Sequence, residues 1–227
     1  MKKVLLITIA IILALPTTAL AAGKATVTQE AFYVTPFLGY FAGEIYCEIT
    51  NTGDKPVKLE SGVYEFYDAD GESIDSGSIY SFYPRTLLPG EKGTAIITSG
   101  IKEATEPAHI ADYSVSVVGK SAKPEDVIRY PVSNIRMGEY DPYGMYQAFY
   151  ATVNNDSDSP TGDVSIVFFA YDANGNILYT CERDTSGMSL LPGSSMDMYC
   201  LIDNDILKQL DTAGKGITTI HAIAYAD

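Results

Sequence analysis

The 227-residue chain carries 15 basic and 29 acidic residues, a net charge of −14, and is 46% hydrophobic, 11% aromatic and 19% charged. This balance excludes a disordered tail and a multi-span membrane protein, and its sign argues against a nucleic-acid partner, because phosphate contacts need Lys and Arg. Its 3 cysteines are too few for a small disulfide scaffold, while tyrosine is abundant at 17 residues and tryptophan is absent.

The chain begins with Lys2 and Lys3, an apolar run from Val4 to Leu15, Pro16, and small residues ending at Ala19-Leu20-Ala21. This is the order of a secretory signal, predicted over residues 1–21, and the run is too short to cross a bilayer. A retained N-terminal anchor is the alternative. A lipoprotein would need a cysteine directly after the run, whereas the first is Cys47. The expected location is therefore secreted or extracytoplasmic, in an oxidising setting, with no stable membrane insertion after cleavage.

Sliding the chain against itself by 104 residues places Asn51 on Asn155, Asp54 on Asp158, Pro56 on Pro160, Tyr67 on Tyr171, Asp68 on Asp172 and Gly71 on Gly175. With one residue deleted, Leu87-Leu88-Pro89-Gly90 falls on Leu190-Leu191-Pro192-Gly193. The chain is thus read as a duplication, with repeat 1 over 22–121, repeat 2 over 122–227, and the polar segment around Ala122 between them. Ile45, Cys47 and Ile49 alternate with Tyr46 and Glu48, and Phe149, Ala151 and Val153 occupy the matching places, so one face of this strand is expected to be buried in each copy. The next runs, Val63 to Asp68 and Val164 to Asp172, end at Asp70-Gly71 and Asn174-Gly175, which favour a tight hairpin. Further strands are predicted at 94–98, 113–118, 197–202 and 217–224. Only Asp203 to Leu210 reads as helix, crossing between sheets. The predicted fold is all-β: two tandem immunoglobulin-like β-sandwich domains of about 100 residues each. One larger barrel is the alternative.

The strand before each hairpin, Tyr64-Glu65-Phe66-Tyr67-Asp68 and Phe168-Phe169-Ala170-Tyr171-Asp172, resembles the signature of the FxLYD family of extracytoplasmic domains. The Asp-Ala-Asp-Gly, Asp-Ala-Asn-Gly and Leu-Pro-Gly segments fit the same pattern, although Tyr64, Phe66 and Ala170 depart from its letters. The resemblance implies a sandwich fold, tandem use and an envelope or secreted location. It implies no activity, since none is established for the family.

Chemistry-bearing motifs are scarce. His109 and His221 are the only histidines and stand alone, and there is no nucleophile elbow and no phosphate loop. No catalytic residue, cofactor or metal is predicted. Asp68, Asp70 and Glu72, with Asp172, Asn174 and Asn176, place oxygens at alternate positions that calcium could use, but the same residues make a good hairpin. Phe37, Tyr40 and Phe41 are expected between the first two strands of copy one, and Tyr140, Tyr143 and Tyr146 between those of copy two. Tyrosine in such loops is a good contact residue, and the competing role is to cap the sandwich ends. Of the odd cysteines, Cys47 is expected as a buried thiol, while Cys181 and Cys200, both in copy two, are expected to pair. The function predicted is a non-catalytic binding or structural module of the cell exterior, with an unknown extracellular protein or glycan as partner. The alternatives are an envelope-polymer hydrolase using carboxylates and an accessory subunit of an envelope complex.

Overall fold

The structure is a computed structural model that describes residues 24–140 and 146–226, so the predicted signal segment and Tyr143 lie outside the described residues. The first half contains β1 (Ala25–Phe37), β2 (Tyr40–Asn51), β3 (Val57–Tyr67), β4 (Ser73–Ile79), β5 (Thr86–Leu87), β6 (Lys92–Ile101) and β7 (Asp112–Ser121). The second contains β8 (Ile128–Tyr130), β9 (Val132–Glu139), β10 (Gln147–Asn154), β11 (Ser165–Tyr171), β12 (Ile177–Asp184), β13 (Ser195–Leu201), α1 (Asn204–Thr212) and β14 (Thr219–Ala226). Each half is an antiparallel sandwich. In the first, β1-β2-β6 faces β4-β3-β7, with the short β5 also pairing β3. In the second, β9-β10-β13 faces β12-β11-β14-β8. The boundary expected near Ala122 falls between β7 and β8.

The duplicated residues do the same local work twice. The buried Asn51 donates to the carbonyls of Lys55 (2.8 Å) and Leu87 (3.0 Å), and its own carbonyl accepts from Gly90 N (2.9 Å). Asn155 donates to Ser159 (2.8 Å) and Leu190 (2.9 Å) and accepts from Gly193 N (2.8 Å). One amide side chain therefore fastens a tight turn to the Leu-Pro-Gly loop, satisfying backbone groups that would otherwise be buried unpaired. At the hairpins, Asp68 Oδ1 accepts from the amides of Asp70 (3.0 Å) and Glu72 (2.9 Å), and Asp172 Oδ1 from those of Asn174 (2.8 Å) and Asn176 (2.9 Å). Gly71 and Gly175 both take φ of 81°, which a side chain would strain.

The first core gathers Ile45, Cys47, Ile49, Val57, Leu59, Phe66, Leu87 and Ala95. The second gathers Phe149, Ala151, Val153, Ile166, Phe168, Leu178 and Ile202, together with Ile206 and Leu210 of α1. That helix links β13 to β14 across the two sheets, and Asp203 caps it by accepting from Asp205 N (2.7 Å) and Ile206 N (3.3 Å).

The second core does not stop at the boundary, because Ala31, Tyr33 and Tyr46 of the first half belong to it. The edge strand β12 lies across the outer surface of β1-β2-β6. There Tyr33 donates to Leu178 O at 2.7 Å, the Tyr46 and Tyr179 rings are 4.7 Å apart, and the hydroxyls of Thr94 and Thr180 share a hydrogen bond of 2.8 Å. β2 is consequently buried on both faces, where alternation led to the expectation of one. Glu48, only 2% exposed, accepts from Tyr171 Oη (2.5 Å), Lys92 Nζ (2.7 Å) and Thr28 Oγ1 (2.9 Å). Glu44 accepts from Thr35 Oγ1 (2.5 Å) and Tyr46 Oη (2.6 Å). These bonds make the burial of two carboxylates tolerable. Arg129, at the start of the second half, grips Glu91 of the first with two nitrogens at 2.6 and 2.8 Å.

Candidate functional site

Strand register makes the outer faces of β1-β2-β6 and β9-β10-β13 directly comparable. Across the first, Ala31, Tyr46 and Ile96 form one row; across the second, the corresponding row is Arg136, Tyr150 and Tyr199. The next row is Glu48 beside Thr94 in the first half, and Ser133, Thr152 and Asp197 in the second. The first face is covered by β12. The second is open.

The open face is organised around tyrosine. The rings of Tyr140 and Tyr199 are 4.9 Å apart at 35°, those of Tyr150 and Tyr199 are 6.2 Å apart at 39°, and the Arg136 guanidinium lies 4.3 Å from the Tyr150 ring centre. Stacking of this kind fixes a cation and the rings in one arrangement before any partner arrives. Tyr140 and Tyr199 share a hydroxyl hydrogen bond of 3.1 Å, which raises Tyr140 above the ordinary tyrosine range. Beside the rings runs a polar chain in which Asn134 Nδ2 donates to Thr152 Oγ1 (3.2 Å) and Thr152 donates to Asp197 Oδ1 (2.6 Å).

A bulge in β9 builds this edge. Asn134 and Ile135 both sit opposite Ala151, and Asn134 takes φ of 54°, a conformation asparagine tolerates better than most residues. The result is a groove of about 380 Å³ lined by Asn134, Ile135, Arg136, Tyr150, Thr152 and Asp197. Across β13 a second groove of about 230 Å³ is lined by Arg183, Asp184, Met188, Asp197 and Tyr199, so that Asp197 borders both.

The aromatic residues expected as contacts separate. Phe37 and Tyr40 are strand ends, not loop residues, because only Leu38 and Gly39 form the turn between them, with φ of 49° and 93°. Their rings meet at 5.5 Å and lie over Gly100, where a Cβ would clash with both. Phe41 is within β2, half-buried against the first core. Tyr140 joins the open face, and its amide donates to Tyr146 O at 2.9 Å. Tyr146 lines a separate hollow with Tyr179, Leu201 and Asn204. Sequence reading did not single out Arg136, Tyr150, Asp197 or Tyr199; the available signal was the outward alternation of Tyr150 and Thr152 in β10.

Other chemistry-bearing groups have local partners. All three thiols are free and buried; Cys181 and Cys200 are within hydrogen-bonding range of each other between the facing sheets, and burial pushes the Cys181 thiol well up. Asp68, Asp70 and Glu103 rim a hollow floored by Ile74, Ile101 and Ala104, but the Asp68 carboxylate is engaged by its own turn. His109, at the same rim, accepts from Thr105 N at 3.2 Å. Among the described residues no group of three His, Cys, Asp or Glu is placed to hold a metal ion, and no helix is long and apolar enough to cross a membrane.

Neither a family model nor a curated protein matches the chain. Among solved structures, it is similar to red sea bream transglutaminase at 10% identity and a TM-score of 0.24, covering 78% of this chain and 27% of that one. A likeness at that level carries no functional argument.

Proposed function

We propose that the protein is a non-catalytic binding module of the cell exterior, exported by its N-terminal segment, and that it makes contact through the open face of β9-β10-β13. The observation that carries this reading is the contrast between equivalent rows: Ala-Tyr-Ile where β12 covers the sheet, Arg-Tyr-Tyr where no described strand does. Tyr and Arg are the residues that dominate binding energy at contact surfaces, because they present large, stiff area with polar tips. The FxLYD resemblance is in keeping with an envelope or secreted role. Pairing of Cys181 with Cys200 belongs to the same proposal, since it would tie β12, the strand that covers the first half, to β13, which bears Tyr199.

The test is capture from the envelope fraction of the source cell by the immobilised full chain. Tyr199→Ser and Tyr150→Ser should each reduce retention of the captured material at least tenfold with the melting temperature preserved, while Phe37→Ser should not. Equal retention by all three variants would overturn the assignment of the surface.

A further inference from the structure

The open face is defined closely enough to name the chemistry it receives. We propose that it binds an uncharged polysaccharide, with sugar rings stacked on Tyr140 and Tyr199 and sugar hydroxyls met by Asn134, Asp197 and the Arg136 held over Tyr150. This rests on the contact surface proposed above.

Three observations lead there. The tyrosine rings lean on one another in a row, 4.9 and 6.2 Å apart and tilted by 35° and 39°, with Tyr140 exposed at its end. The C–H face of a sugar ring is apolar and slightly positive, and so complements the negative face of an aromatic ring. A row of such rings suits a chain of repeating units. Alongside it, the side chains are hydrogen-bonding groups of both kinds: Asn134 and Arg136 donate, and Asp197 accepts. Stacking on Tyr150 holds the planar donors of the exposed Arg136 guanidinium in place. The groove beside them, about 380 Å³, is of the size small ligands occupy.

Charge and composition narrow the ligand. Near the rings Arg136 and Arg183 are balanced by Asp184 and Asp197, while the chain as a whole carries −14, which disfavours an acidic polymer. A protein partner fits less well: the row of Ser133, Thr152 and Asp197 includes residue types depleted from the centres of protein interfaces. The matching surface that does meet protein shows what that occupant selects, with Ala31 and Ile96 where the open face has Arg136 and Tyr199.

The experiment is native affinity electrophoresis of the full chain in gels containing hydroxyethylcellulose, galactomannan, glycogen or laminarin, with co-sedimentation on chitin, and polygalacturonate as the acidic control. At least one neutral polymer should bind. Tyr199→Ser and the exposed Arg136→Ala should each weaken that binding at least tenfold, with circular dichroism and melting temperature retained, and Phe37→Ser should leave it unchanged. Binding to none of the neutral polymers, equal binding to polygalacturonate, or binding indifferent to both variants overturns the inference. If none binds while capture from the envelope fraction still depends on Tyr199, the polysaccharide is wrong and the contact surface stands.

Discussion

Tyr171→Phe isolates a single hydroxyl at the junction of the halves. That hydroxyl donates to Glu48 at 2.5 Å and receives Lys92 Nζ at 3.2 Å, and Tyr171 is 4% exposed. A hydrogen bond to a buried charged group contributes about 1.5–3 kcal/mol. Glu48 retains Lys92 and Thr28 in the variant and is not orphaned, which places the cost at about 2 kcal/mol. For a chain of this size that corresponds to a fall in Tm of about 4–8 °C. The repeat supplies its own control. Tyr67 occupies the same position in copy one, and its hydroxyl donates to Glu65 at 2.8 Å on an uncovered surface. Tyr67→Phe should therefore leave Tm unchanged. Differential scanning calorimetry of both variants, and of Tyr171→Phe in a Glu48→Gln background, checks the assignment, since the double variant should cost less than the sum. Equal, negligible shifts for Tyr171→Phe and Tyr67→Phe would refute the idea that this network fastens the halves together.

Alkaline pH should unfasten the same junction. Burial pushes Tyr33 up to about 12 and raises Tyr46, Tyr171 and Tyr179 further, so stability should be intact below pH about 10, the unfolded value, and be lost as pH rises through about 12. The tyrosinate absorbance contributed by these four buried rings should accordingly appear together with loss of circular dichroism, not before it. Expressed separately, residues 22–121 and 122–227 should each melt cooperatively, because each has a core of its own, but below the Tm of the full chain, because the covered face is exposed; an unchanged midpoint would contradict the shared interface. Non-reducing peptide mapping of the exported protein should show Cys181 joined to Cys200 and Cys47 free, closing a loop of about 20 residues that stabilises by roughly 3 kcal/mol. A bridge involving Cys47, or three free thiols, would reverse that assignment.

What the sequence made legible is what local rules govern. Asp-x-x-Gly hairpins, the Asn and Leu-Pro-Gly pairs and the core alternation of Ile45, Cys47 and Ile49 depend on neighbours within one repeat, and the duplication marked them twice; the Asp203-capped helix, present only in the second half, was legible from its cap and apolar spacing alone. The second burial of β2 was hidden because Glu44, Tyr46 and Glu48 have the polarity of a solvated face. Only Tyr171 at the end of β11, with Tyr179 and the Leu178 carbonyl of β12, all more than 120 residues later, make them interior. The open face was hidden for a related reason. Arg136, Tyr150 and Tyr199 stand on three strands, and they become one row only when the register and the Asn134 bulge are known. Phe37 and Tyr40 were displaced by a turn of just two residues, with Leu38 in a conformation more usual for glycine.

The grip of Arg129 on Glu91, reinforced by its bond to Thr86 O at 2.5 Å, lies just beyond the connecting segment, while Gln209 of α1 reaches Val34 O at 2.9 Å on the other side of the boundary. A connection secured at its root and braced along its flank leaves no hinge. The two repeats should therefore tumble as one body with a single alignment in solution. The open face of β9-β10-β13 is thereby held at a fixed position relative to the first half.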